Sequence, residues 1–329
     1  MDTNEDHKID KELKVKIKQG LITALILSIA CLVLFPMAAF INEVMEDHQR
    51  GALKTSTLST PDGDFTVKKG VNNGEVIITF PDGTIYEGQV SRDGMPHGRG
   101  KYTFPEGGVY EGELKDGKPH GFAISILPDG AKYEGQFREG KIDGNGIEAF
   151  PDGVIYDGKW KNGKHHGHGT EIITDGRKYV GEFKDGMRCG KGVMTLPDGS
   201  TYTGDWKDNR PDGQGTETLS DGRVYMGQWV SGERNGYGTV SFPNGIKYVG
   251  EWKDGQLTGK GIQTFPDGAK FTGRFKEGRF HGKGNLIIPD GTRYDGTWVN
   301  DKLYGDVMIT YPDGTRKKER LGTARLTSM

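Results

Sequence analysis

The chain has 329 residues, a formal net charge of -2, only 33% hydrophobic residues and 54 glycines. So little apolar material, diluted by so much glycine, excludes a thick conventional core. Aromatic residues make up 10% of the chain and return at regular intervals, which excludes the aromatic-poor composition of a disordered protein.

Residues 1–20 form a short amino-terminal segment in which Lys8, Lys11, Lys14, Lys16 and Lys18 are offset by five acidic residues. There follows "LITALILSIACLVLFPMAAFI", Leu21 to Ile41, 21 residues without a charge. As a helix this stretch rises about 31 Å and matches a hydrocarbon core of about 30 Å, so one transmembrane helix is expected. Three other readings compete. A cleaved signal peptide has a shorter apolar run, and Met37 and Ala38 before a cut after Ala39 fit the A-x-A rule poorly. A lipoprotein signal would end at Cys31, whereas "LVLF" continues the run. A buried core helix needs a globular domain around it, and the remaining sequence offers none. The lysines precede the span, and only Arg50 and Lys54 occur in the twenty residues after it. The amino terminus is therefore expected in the cytoplasm and the repeats outside a plasma or inner membrane, with cytoplasmic repeats as the alternative. Residues 42–60 show no sustained apolar periodicity and read as a flexible linker.

Residues 61–80 look like a truncated repeat that caps the amino-terminal edge of the array. From Tyr110 an aromatic returns every 23 residues through Tyr133, Tyr156, Tyr179, Tyr202, Tyr225, Tyr248, Phe271 and Tyr294, with Tyr86 one step earlier, giving ten repeats over residues 81–315. Two residues after each aromatic stands Gly, and two further on a large apolar side chain, a series that holds all five Trp. Spacings of two and four place aromatic, Gly and Trp on one face of a strand, with Glu, Gln, Asp and Lys alternating on the other. "PDG" or a close variant closes each second strand, with Pro presetting the first turn dihedral and Gly accepting positive φ. The opposite turn is expected at the glycine nine residues after the strand glycine, such as Gly121, Gly144, Gly167 and Gly190. Each repeat is then one β-hairpin, and bare glycines leave room for rings of neighbouring strands to lie across the backbone. Residues 316–329 are read as a basic tail around "RKKER".

The pattern Tyr-x-Gly-x-Trp-x-x-Gly-Lys-x-His-Gly-x-Gly, nearly complete as "YDGKWKNGKHHGHG" at Tyr156 to Gly169, resembles the MORN repeat (membrane occupation and recognition nexus). The resemblance runs from about Pro81 to Asp313. It implies an all-β fold, an elongated single-layer antiparallel sheet of about ten stacked hairpins, used for protein contacts, self-association or phospholipid binding. No catalytic domain is attached, as it is in MORN-bearing lipid kinases, and the apolar span is amino-terminal rather than carboxy-terminal as in junctophilins.

Candidate chemistry is thin. "GMRCGKG" and "GRFHGKG" lack the spacing and the Ser or Thr of a phosphate loop. His97, His120, His166 and His281 share one slot of the repeat, but equivalent slots lie about 10 Å apart, too far for shared metal ligation. No catalytic, metal or cofactor site is expected, and no enzyme. The candidate partner-binding face is the aromatic row of the middle repeats: Tyr156, Trp160, Tyr179, Phe183, Tyr202, Trp206, Tyr225, Trp229, Tyr248 and Trp252. Those rings serve either packing alone or a groove open to a partner. The function expected is a membrane-anchored, non-enzymatic scaffold; the alternative is a phospholipid- or cell-surface-glycan-binding envelope tether. Expected partners are the bilayer, an unknown protein and a second copy in a homodimer, and no nucleic acid.

Overall fold

The computed structural model describes residues 40, 41, 44, 55–60, 63–69 and 75–322. Among them run 24 β-strands, and every recorded pairing is antiparallel between strands consecutive in the chain. Twenty of these strands are the ten hairpins read from the sequence; three precede them and one follows. The expected span Leu21–Ile41 lies outside the described residues except for Phe40 and Ile41, which with Val44 have helical backbone. Among the described residues no helix is long and apolar enough to cross a membrane.

Two compact units are resolved. One runs through Thr174 and includes Phe183–Gly186; the other comprises Asp175–Glu182 and the chain from Met187 onward. Both are built from the same hairpin. In the second unit the strand Thr201–Lys207 pairs with Arg210–Thr218, with Tyr202 opposite Glu217 and Gly204 opposite Gly215. Gly215 in turn faces Gly227, and the file continues through Gly238, Gly250, Gly261, Gly273, Gly284 and Gly296. The first unit has the same file from Gly88 to Gly169, interrupted only by Ala123. A row of glycines thus crosses each unit at one height.

The PDG turns form as their chemistry dictates. In the turn after Leu196, the Gly199 amide donates to the Leu196 carbonyl at 3.0 Å and Gly199 takes φ +85°. Asp198 accepts the Ser200 amide at 2.8 Å, and this hydrogen bond holds its carboxyl below the usual range.

The opposite turn is not where the glycine spacing put it. It is a two-residue type I′ turn, as at Asn162 and Gly163 with φ +50° and +75°, flanked by the pair Lys161 and Lys164. Gly121, Gly167 and Gly190 lie inside the second strand at positive φ, and beside Gly121 and Gly167 the register of the hairpin shifts at a β-bulge. Two glycines a few residues apart both carry a turn signal, and the bulge claims the second.

Both ends also depart from the sequence reading. Ser56–Thr60, within the expected linker, is a strand paired with Gly63–Lys69, since "STLST" carries the β-branched Thr57 and Thr60 just ahead of another PDG. Arg316–Leu321, read as a tail, is a strand on Lys302–Thr310. Its charge does not prevent pairing, because Lys318 meets Asp306 at 3.1 Å and Lys317 meets Glu319. A row of Lys and Arg along a last strand also discourages further strands from adding there.

The glycine file makes a direct prediction. A Cβ on Gly227 would lie 2.5 Å from the Tyr225 hydroxyl and 2.6 Å from Gly238 Cα. Gly227→Ala should therefore lower stability by about 1–3 kcal/mol, measured by denaturant unfolding; an unchanged midpoint would show that the ring is free to move off the glycines.

Candidate functional site

The aromatic row is built around the glycines. Tyr225 lies over Gly227 of its own strand and Gly238 of the next, and its hydroxyl donates to the Gln228 carbonyl at 3.0 Å. Tyr156 and Tyr202 repeat this with the carbonyls of Lys159 and Asp205 at 2.8 and 2.9 Å. A ring from the neighbouring strand thus lies across Gly238, and the same ring also covers Gly227 of its own strand, two residues after it. Burial pushes the Tyr225 phenol up to about 12 and raises Tyr156, Tyr179, Tyr202 and Tyr248 still further.

Four of the five Trp then stand edge-on between two tyrosines, while Trp298 packs against Phe271 and Phe280. Trp206 lies 5.0 Å from Tyr179 and 5.3 Å from Tyr202, and Trp229 lies 5.0 Å from Tyr202 and 5.4 Å from Tyr225. Trp252 bridges Tyr225 and Tyr248, while Trp160 bridges Tyr133 and Tyr156. Phe183 packs edge-on against Tyr156 at 5.1 Å. The indole of Trp206 also donates to the Gly192 carbonyl at 3.1 Å, a bond reaching back to the preceding hairpin.

Within each unit the candidate residues pack side by side, Tyr156, Trp160 and Phe183 in the first and the other seven in the second, and not as an open groove. None is more than 7% exposed. Their burial puts them in the packing of the sheet, with little ring surface left in contact with solvent.

What closes that face is a slot the sequence reading passed over, nine residues after the aromatic. His165 stacks on Tyr156 at 3.5 Å and 5°, and Phe280 on Phe271 at 3.7 Å and 10°. Arg188 and Arg234 lay their guanidinium groups 5.4 and 5.0 Å from the ring centres of Tyr179 and Tyr225. Arg234 is held by Glu217 of the preceding hairpin, its Nε 3.0 Å from the carboxylate. His165 lies 3.9 Å from Glu148, and neither ring nitrogen makes a hydrogen bond. The residue identities vary: these four lay a flat group on the ring, whereas the same slot holds the aliphatic Ile142, Leu257 and Leu303 in other repeats.

The histidine slot sits at the bulge and reaches the type I′ turn of the following hairpin. His97, His120 and His166 stand 3.6, 3.8 and 4.0 Å from Asp116, Glu139 and Asp185, and Asp212 accepts the Ser231 amide at 3.0 Å. The slot thus links neighbours. Among the described residues no group of three His, Cys, Asp or Glu could hold a metal ion.

The opposite face is polar with apolar islands. Gln228, Gln136 and Glu182 accept the amides of Tyr237, Asn145 and Lys191 and so hold the bulges in shape. In the second unit Met226 and Tyr237 are 60% and 59% exposed. Val193, Thr203, Thr216 and Met226, on four successive strands, line a trough of about 460 Å³ beside Gly192, Gly204 and Gly215. Lys191 stands at its rim, paired with Asp205 at 2.6 Å.

The MORN repeat family matches this chain in ten segments, residues 86–109, 110–132, 133–155, 156–176, 179–201, 202–222, 225–247, 248–270, 271–293 and 294–303. The chain belongs to the MORN-repeat family. No curated protein matches it as a whole. Among solved structures it is similar to a mutant TCP10 domain of Danio rerio CPAP, at 15% identity over 81% of this chain and 99% of that one, with a TM-score of 0.23. A second is the TCP domain of Drosophila melanogaster SAS-4 in complex with a proline-rich motif of Ana2, at 14% identity over 62% and 93%, with a TM-score of 0.28. A streptogramin B lyase shares 12% over 83% and 88%, with a TM-score of 0.15. Likenesses at this level say nothing about what a MORN sheet of this sequence binds.

The buried ladder leads to two expected outcomes. Trp206→Ala should cost about 3–5 kcal/mol of stability, as a large core deletion does, read by the denaturant midpoint. In alkali, a phenol whose folded-state pKa lies above its unfolded value of about 10 favours the folded form, so stability is intact below that pH and falls as pH rises through it toward the folded value. Phenolate absorbance of the ladder tyrosines should thus appear together with loss of β-sheet circular dichroism. Ionisation of those tyrosines well before unfolding would contradict their burial.

Proposed function

We propose that this MORN-repeat protein is a membrane-anchored, non-enzymatic scaffold that binds another protein through the sheet face opposite the aromatic ladder. The observation that carries this reading is the division of labour between faces. The rings are buried in packing, while the other face keeps large apolar side chains in water around a trough of about 460 Å³. Scattered exposed apolar residues are normal on any protein, but Val193 and Met226 share a single concavity with a charged rim, the arrangement of a recognition surface. The anchor is the uncharged segment Leu21–Ile41, and the lysines before it place the amino terminus in the cytoplasm and the repeats outside.

Pull-down from detergent extracts should lose its partners with Val193→Asp and Met226→Asp combined, while the denaturant midpoint moves by no more than about 0.5 kcal/mol, as expected for surface changes. Retention of the same partners would place binding elsewhere. Light scattering of the same pair of proteins distinguishes a second copy as the occupant, since a homodimer would revert to monomer. Protease added to intact cells should remove the repeats; protection until the membrane is opened would put them in the cytoplasm.

A second reading draws on the type I′ turns of the first unit, where like charges face each other across the hairpin as Lys115 with Lys118, Arg138 with Lys141 and Lys161 with Lys164. Like charges directly opposite destabilise a strand pair, and an anionic surface would relieve them. Salt-sensitive flotation with anionic liposomes or acidic glycan, lost on reversing these six charges, would favour the tether over the protein scaffold.

A further inference from the structure

We infer that the end of the apolar segment packs on the inner face of the first strands as their second layer, so that anchor and sheet are joined by a side-chain contact rather than a loose tether. The strands Ser56–Thr60, Gly63–Lys69 and Glu75–Thr79 have no Tyr-Gly-Trp set. Their inner residues are short: Phe65, Val67, Val76 and Ile78, with Val67 directly opposite Ile78. Yet they are only 1%, 0%, 1% and 0% exposed. Elsewhere in the unit the same face is sealed by large rings standing across one another; here, among the described residues, Phe65 meets Phe80 at 5.8 Å and Phe80 meets Tyr102 at 6.4 Å, and the other inner side chains are aliphatic. Side chains pointing the same way from one sheet do not cover one another's tips, so something must lie over them. The covering is one-sided, because Thr66 and Ile77 on the other face stay partly open and Lys68 is exposed.

A matching surface exists in the same compact unit. Phe40, Ile41 and Val44 have helical backbone, and positions 40, 41 and 44 share one side of a helix. Ile41 is 0% exposed and Val44 4%. A single helix cannot bury its own side chains to that extent; it needs a partner. The twelve steps from Val44 to Ser56, at no more than about 3.5 Å each, let the chain return to the first strand. Two apolar surfaces that each require a cover therefore cover each other. This packing does not depend on membrane insertion. Where Leu21–Ile41 does span the bilayer, as in the proposed function, the contact sets the first strands at the membrane surface and leaves the later repeats as the part free to meet a partner.

The test uses the full chain with Cys31→Ser and Cys189→Ser, carrying Val44→Cys with Val67→Cys or with Ile78→Cys, and Val44→Cys with Lys68→Cys as the opposite-face control. Brief treatment with a short bismaleimide, followed by peptide mass spectrometry, should join position 44 to 67 and to 78 within one chain and leave the thiols of the control pair unjoined. Absence of the first two links, or equal linking to position 68, in protein that keeps its β-sheet circular dichroism would overturn the inference. Alkaline carbonate extraction of the same variants reads membrane anchoring separately, so loss of the span and loss of the contact give different results.

Discussion

A tyrosine ring lying flat over two glycines is the contact on which the rest of this protein depends. The ring occupies the space where two Cβ atoms would stand, and its hydroxyl satisfies a carbonyl of its own strand, as Tyr225 does for Gln228 over Gly227 and Gly238. Along the ten repeats the described residues supply no second sheet or helix to bury against. Folding the rings down onto the backbone gives the sheet a thin core of its own, and the edge-on Trp or Phe passes that core from one hairpin to the next.

The same constraint explains why the chain folds with so little apolar sequence. Most repeats combine a ring, two glycines, a second large side chain and a lid. The lid is the most variable part: His165, Arg188, Arg234 and Phe280 lay flat groups on the ring, and Ile142, Leu257 and Leu303 stand in the same slot of other repeats, so no given charge is required. Where the lid is charged, the preceding hairpin supplies the counter-charge, as Glu217 does for Arg234. These ionic contacts link neighbours whose apolar contacts are otherwise alike, and they favour one order of repeats over a slipped one.

Much of this was legible in the sequence, because period-two spacing of Tyr, Gly and Trp has a single strand interpretation and PDG has a single turn chemistry. The parts that were not legible have identifiable causes. The type I′ turn was misplaced because Gly117 and Gly121 both invite positive φ, and only the register shows that the second belongs to a bulge. The lid escaped notice because His165, Arg188 and Phe280 share no polarity. Period-two spacing leaves open whether the rings serve packing alone or a groove, since a single layer suggests open rings; in the structure the lids and the neighbouring rings close the face to a few per cent exposure. Strands at the two ends were missed because "STLST" is short and "RKKER" is dominated by charge.

The account stands on rings that couple one repeat to the next, and a double-mutant cycle across a repeat boundary measures that coupling. Tyr225 and Trp252 belong to successive hairpins and lie 4.9 Å apart, edge to face. Unfolding free energies of Tyr225→Leu, Trp252→Leu and the double variant should give an interaction energy of about 0.5–1.5 kcal/mol beyond additivity. Strict additivity would mean that each hairpin is stable by itself and that the aromatic ladder does not hold the repeats together.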